Sequence, residues 1–273
     1  MADDTILIGA LTMRITAEQK AAGIFYERLF GLCERFLPGC GCQVVLLPER
    51  SGVRPEDRQP IGGAICQRFG DLARRHGLVL IAPLVESSGE KTFNTHVVLS
   101  PAGEVLHAYR KVHLAPGEER QTAEGDGFRA FDLPWFRAGL QICYDNHFPE
   151  PSRCLAVQGA QVLFWPAYGD LRNPARCATR CLDNNVYMVG AGVVDMSCNL
   201  PAEAFSRGMV MDPAGQVLVE SAAEDSLVTA DLPLDPQTKR LRRSVPKDDY
   251  LSRRRPRTYG LLTEQERHAL NNG

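Results

Sequence analysis

Residues 138–150 read A-G-L-Q-I-C-Y-D-N-H-F-P-E. The run begins apolar, from Ala138 to Ile142, with the length of one buried strand. Cys143 stands where that run ends. Tyr144, Asp145, Asn146 and His147 follow, and after Phe148-Pro149 the pattern turns helical. A strand that stops at a polar turn before a helix presents its last side chain at the carboxyl end of a sheet, where open α/β sheets bind ligands. Cys143 in that place is either a nucleophile or a small buried hydrophobe.

The flanking sequence repeats the strand–helix alternation. Upstream, 5–11, 43–47 and 78–85 are almost continuously apolar and read as strands buried on both faces. A helix is expected from Thr16, which opens a Thr-x-x-Gln capping box, to about Leu37, and a second over 61–76. Segments 94–99 and 105–110 flank Ser100-Pro-Ala-Gly-Glu104 and read as a hairpin. Downstream, helices are expected over 150–158 and 173–185, and strands over 128–133, 161–165 and 187–194. Strands over 204–211 and 216–220 flank Asp212-Pro-Ala-Gly215 as a second hairpin, a last strand covers 227–232, and 238–243 has the pattern of a short helix. Strands alternating with helices predict a layered α/β fold, and the hairpins predict a mixed sheet. One domain is expected over 1–245. The tail 246–273, with Arg253-Arg-Arg255 and few aliphatics, is either a solvated arm or a subunit-docking segment.

Composition narrows the function. With 44% hydrophobic residues among 273, the chain can bury a large core, and a net charge of -2 gives no reason to expect nucleic acid or an anionic membrane as partner. No apolar run approaches the length of a membrane span, and the acidic N-terminus does not read as a secretion signal, so none is expected. Nine cysteines, an odd number, then point to free thiols in a reducing cytoplasm. Cys40-x-Cys42 and Cys177-x3-Cys181 have no matching cluster for zinc, so no metal is expected.

Glu49, Lys111 and Cys143 each terminate a strand. Charged residues at the mouth of a sheet are costly unless paired. A nearby cation lowers a thiol pKa, a carboxylate within reach takes and returns the proton, and a lysine holds the oxyanion of an attacked carbonyl. The three suffice for acyl transfer without cofactor. A Cys–His pair using His113 or His147 is weaker, since neither histidine has an evident acidic orienter in the sequence.

The chain resembles the nitrilase superfamily of carbon–nitrogen hydrolases in V-V-L-L-P-E (44–49), Y-R-K-V-H-L (109–114), G-L-Q-I-C-Y-D-N-H-F-P-E (139–150) and F-W-P-A (164–167). Asn94-Thr95, R-C-L-D-N-N (180–185) and R-G-M-V-M-D-P-A-G-Q-V (207–217) extend the match along nearly the whole chain. The resemblance implies a four-layer α-β-β-α sandwich that assembles as a homodimer or higher homo-oligomer. It implies Glu49 as general base, Lys111 as oxyanion stabiliser, Cys143 as nucleophile and the Tyr144 N–H as second oxyanion donor. It also implies a second glutamate after the lysine: counting back from Gly125-Asp126 favours Glu118, with Glu119 the alternative. Tyr144, Asn146, His147, Trp165, Tyr168 and Arg172 are the candidate pocket residues, and Arg172 or Arg176 either clamps a substrate carboxylate or lies on the surface. The loop 117–126 is short, the first strand lacks the family's glutamine, and Asp183 replaces a glutamate; these differences touch rim and scaffold. Tyr144-Asp145 after the cysteine, where nitrilases proper carry tryptophan, points to a small amide or N-carbamoyl compound as substrate. A nitrilase, an acyltransferase and a non-catalytic binding protein are the alternatives.

Overall fold

The computed structural model describes residues 5–170, 172–238, 241 and 251–262. The chain divides into two compact units, 1–243 and 244–273. In the second, two short 3₁₀ turns, Pro256–Thr258 and Gly260–Leu262, are described, and the Arg254 guanidinium lies 5.7 Å from the centre of the Tyr259 ring.

The first unit is an α/β sandwich built from β1 (Thr5–Ile15), α1 (Ala17–Ala22), α2 (Phe25–Phe36), β2 (Val44–Leu46), α3 (Ala64–His76), β3 (Val79–Ser88), β4 (Lys91–Leu99), β5 (Val105–Arg110), β6 (Phe131–Asp132), β7 (Arg137–Leu140), α4 (Pro149–Val157), β8 (Val162–Tyr168), α5 (Pro174–Asn184), β9 (Tyr187–Asp195), β10 (Met209–Met211), β11 (Val217–Glu220) and β12 (Ser226–Pro233). The strands follow the order β5-β4-β3-β2-β1-β9-β8-β7-β6. β12 pairs with β1, and β10 with β9 and β11. β1 serves both halves. Its residues 8–10 pair in parallel with β2, and its residues 12–15 pair in parallel with β9. The outermost strands β5 and β6 nevertheless meet, with the His107 and Phe131 rings stacked at 4.6 Å. The two halves therefore face each other, and the helices lie outside them.

This layering follows from the apolar patterns. β3 is buried over eight consecutive residues because one face meets helices and the other meets the facing strands. α2 buries Phe25, Tyr26, Leu29, Phe30, Leu32 and Cys33, one stripe of a helical period, and Phe30 stacks on Phe69 of α3 at 4.5 Å. On the other half, α4 sits so close to β7 that a Cβ on Gly139 would lie 2.7 Å from Leu155.

The expected helix over 16–37 is two helices. The Thr16/Gln19 capping box forms, but Gly23, in the left-handed region at φ 73°, ends α1 by donating to Gln19 and Lys20. α1 consequently buries no residue, and Ile24 is exposed rather than packed. The segment 86–93, unassigned from sequence, completes an antiparallel β3–β4 hairpin. The strand expected over 204–211 shrinks to β10 behind a 3₁₀ turn at Ala202–Ala204. Of the short helix expected over 238–243, Leu241 bridges Leu234, and most of the segment lies outside the described residues.

Candidate active site

The carboxyl ends of β2, β5, β7 and β8 converge on one buried cluster. Pro48-Glu49 follows β2, Lys111 follows β5, and Cys143 opens a 3₁₀ turn (Cys143–His147) beyond β7. Glu49 and Lys111 are 1% and 2% exposed, so their charges are held by partners and not by water. Glu49 Oε1 accepts from Lys111 Nζ at 3.0 Å and from Asn94 Nδ2 at 2.7 Å, and Oε2 accepts from the Tyr168 backbone N–H at 2.8 Å. Lys111 Nζ also donates to Glu118 Oε2 at 2.7 Å, and Asn94 Nδ2 to Glu118 Oε1 at 2.9 Å. Glu49, Lys111, Glu118 and Asn94 thus form a closed ring.

The local chain explains this placement. β4 alternates, so Asn94 faces the cluster while Thr95 turns to Glu86 on the opposite face. The Lys111 backbone donates to the Asn94 carbonyl and accepts from Gly125, at 2.8 Å each, which fixes where the lysine leaves the sheet. Glu118 is drawn inward by the Ala115 N–H at 2.9 Å, whereas Glu119 is exposed. Of the two candidate glutamates, the structure brings Glu118 to the cluster.

Cys143 is a non-glycine residue at φ 45°, in a left-handed conformation that persists only where its surroundings hold it. Trp165 Nε1 donates to its carbonyl at 3.0 Å. The electrostatics are those of buried groups. Burial raises the Cys143 thiol pKa, the Glu49 charge raises it further, and Lys111 opposes. Burial likewise raises Glu49 above the ordinary carboxylate range, against the pull of Lys111. Burial disfavours the Lys111 cation, but the negative groups Glu49, Cys143 and Glu118 outweigh it and raise its pKa. The resting arrangement is a neutral thiol, a fixed ammonium and a carboxylate able to take a proton.

The other candidates separate. Tyr144 is half-buried, its ring 4.6 Å from His147 and 5.6 Å from Phe148. Tyr168 is half-buried, and its hydroxyl bonds Asp195. His147 Nε2 lies 3.3 Å from Asp170. Trp165 is buried and serves the Cys143 carbonyl. Asn146 does not line a pocket: it is 0% exposed and its amide is spent on Gln141 and Cys177. Arg172 is not a free clamp either, because Glu220 binds it through both Nε and Nη2, at 2.5 and 2.7 Å. A carboxylate already in that fork excludes a second. Arg176 is half-buried in the first turn of α5.

Both histidines do have acids: His113 Nδ1 lies 2.9 Å from Asp145, and His147 faces Asp170. The expectation that neither would is corrected, since both acids are distant or hidden in the sequence. Neither imidazole hydrogen-bonds Cys143 among the described residues, and the charges acting most strongly on the thiol are Glu49, Lys111 and Asp170. Asn94 was missed as a site residue: it lies among Thr92, Thr95 and His96 in β4, so no break in an apolar pattern marks it, and the signal was the Asn94-Thr95 match to the family. Cys40 and Cys42 contact one another, with the Cys42 N–H 3.4 Å from the Cys40 sulfur. Among the described residues no three metal-binding side chains cluster. No described helix is long and apolar enough to cross a membrane.

An αββα sandwich that gathers a carboxylate, an ammonium and a thiol at its strand ends defines a protein of the nitrilase superfamily. The carbon–nitrogen hydrolase family profile matches residues 12–239. The omega-amidase NIT2 of Homo sapiens is 31% identical over 227 residues, 76% of this chain and 82% of its own. A nitrilase of Pyrococcus abyssi is 33% identical over 207 residues, 71% of this chain and 78% of its own. Among solved structures, an amidase of Nesterenkonia AN1 from the nitrilase superfamily superposes with a TM-score of 0.73 at 22% identity, over 95% of this chain and 98% of that one. The chain belongs to the carbon–nitrogen hydrolase family.

Proposed function

We propose that the protein is a cofactor-independent amidase that cleaves a small amide or N-carbamoyl compound through a Cys143 thioester and releases ammonia. The observation that carries this reading is the hydrogen bonding of Glu49. Oε1 has both lone pairs engaged, by Lys111 and Asn94, while Oε2 holds one N–H and keeps one lone pair. Oε2 is therefore the atom that takes the Cys143 proton. The thiol loses it only as it attacks, because burial opposes a free thiolate. The substrate oxygen becomes an oxyanion between Lys111 Nζ and the Tyr144 N–H, which lies in the first turn of a 3₁₀ segment where N–H groups have no partner within the turn. One such donor lowers the barrier by about 3 kcal/mol. Glu49 then protonates the departing nitrogen, and ammonia leaves. Water, deprotonated by Glu49, cleaves the thioester and releases the acid. The raised Glu49 pKa suits a group that holds a proton between these steps. Glu118 keeps Lys111 charged and aimed.

Tyr144-Asp145 after the cysteine and the omega-amidase among the relatives support amides over nitriles. The assay is ammonia release from simple amides, ω-amides of dicarboxylic acids, N-carbamoyl amino acids and nitriles, with wild type beside Cys143→Ala. Release by wild type alone is expected, and equal release by both overturns the mechanism. Hydroxamate formation with added hydroxylamine reports the thioester. A homodimer in a reducing compartment completes the proposal. Free cysteines and the exposed Leu182, Val217 and Leu218 support it, and sedimentation tests the assembly.

A further inference from the structure

We infer that Asp145 is a positioning residue: its buried carboxylate latches the nucleophile turn of one half of the sandwich to the lysine segment of the other. The inference rests on the proposed roles of Cys143 and Lys111.

Asp145 is 0% exposed. Oδ2 accepts from the Ile142 N–H at 2.8 Å and from the Tyr109 hydroxyl at 2.7 Å. Oδ1 accepts from the His113 N–H at 2.8 Å and faces His113 Nδ1 at 2.9 Å. Ile142 directly precedes Cys143. Tyr109 and His113 lie two residues before and two residues after Lys111. One carboxylate thus grips the chain on both sides of the lysine and the chain entering the cysteine. The Asp145 N–H also donates to the Ile142 carbonyl at 2.9 Å, which closes the turn around Cys143 and helps to hold its left-handed conformation. The His113 ring is stacked on Phe148 at 4.1 Å, so this donor of the latch is packed as well as bonded.

The two halves contribute different parts of the cluster. Glu49, Asn94, Lys111 and Glu118 come from the half containing β2 to β5; Cys143 and the Tyr168 N–H come from the half containing β7 and β8. Lys111 helps only if its ammonium reaches an oxygen carried on Cys143, and a misplacement of about 1 Å costs about 10²-fold in rate. Substrate binding beyond the reacting carbonyl does not depend on that distance.

The test compares Tyr109→Phe, which removes one of the four contacts, Asp145→Asn and the double variant, with Leu72→Ala in the outer helix layer as a stability control. Expected are a kcat about tenfold lower for Tyr109→Phe and about 10²-fold lower for Asp145→Asn, with KM within a few-fold of wild type. The double variant should be no slower than Asp145→Asn, because both changes act through one carboxylate. Leu72→Ala should lower the melting temperature and leave kcat unchanged. The latch is overturned if the two single effects multiply, if KM rather than kcat changes, or if kcat merely tracks melting temperature across all four proteins. An inactive wild type, or an active Cys143→Ala, would instead overturn the catalytic reading itself.

Discussion

Asn94 and Lys111 bridge the same two carboxylates, yet they differ in kind. The ammonium attracts both carboxylates, whereas the amide only donates. Asn94 therefore orients Glu49 without adding charge, and its hydrogen bond lowers the Glu49 pKa against the dominant effect of burial. Removing it gives a prediction with a defined sign. In Asn94→Ala the carboxylate loses a stabilising donor, so its pKa rises further and the acid limb of the kcat/KM profile moves to higher pH. The plateau falls about 10- to 100-fold, the range for a hydrogen bond to a charged group. A profile with an unmoved acid limb would show that Glu49 is not the base, or that Asn94 does not tune it. Asn94 was legible only in part. Asn94-Thr95 stood in the sequence as part of the family match, but the partners of Asn94 are 45 and 24 residues away and only pairing of β4 beside the strand ends joins them.

The segment that carries Lys111 is held by backbone contacts at both ends, and Gly125 supplies one of them. A Cβ at Gly125 would lie 2.2 Å from the Arg110 carbonyl oxygen, a distance no packing adjustment tolerates. Gly125→Ala must push the loop off β5 and break the Gly125 N–H bond to Lys111. We expect kcat to fall by about 10²-fold or more with a modest loss of stability, measured by steady-state kinetics beside thermal melts. Retained kcat would mean that the lysine is placed by its side-chain partners alone. The Gly-Asp pair was visible in the sequence as a counting mark for the second glutamate. Its mechanical reason, close approach of two backbones, was not. The same limit applies to the first helical stretch, where a helical period ran through Gly23. Periodicity reports which face is apolar, whereas a left-handed glycine decides where the helix stops.

Across the whole molecule, charge groups are buried at the seam between the two halves, and this makes stability depend on pH. His96, on the same face of β4 as Asn94, is 0% exposed; burial lowers its pKa from 6.5 to about 3. The folded protein therefore keeps His96 neutral while the unfolded chain protonates it below pH 6.5. The stability this confers is fully present above 6.5 and is lost as pH falls toward 3, at up to about 1.4 kcal/mol per pH unit for one proton. Melting temperatures should fall over that window, and His96→Phe should flatten the fall. An identical slope in the variant would assign acid sensitivity to other groups, His107 among them, whose pKa burial also lowers.

The amino-acid sequence by itself determined the layers. Continuous apolar runs demand burial on both faces, helical stripes demand a sheet beneath them, and three polar residues at strand ends mark a mouth where the hydrophobic pattern stops. Those are local properties, set by which side chains avoid water. Only the tertiary structure decided which polar groups meet. It spent Asn146 and Arg172 on Gln141 and Glu220, chose Glu118 over Glu119, gave both histidines acidic partners, and set Asp145 between the two halves. The reason is that hydrogen bonds and ion pairs are made within about 3 Å. Sequence spacing constrains such distances within one strand or helix, but not between strand ends that meet only after the sandwich closes.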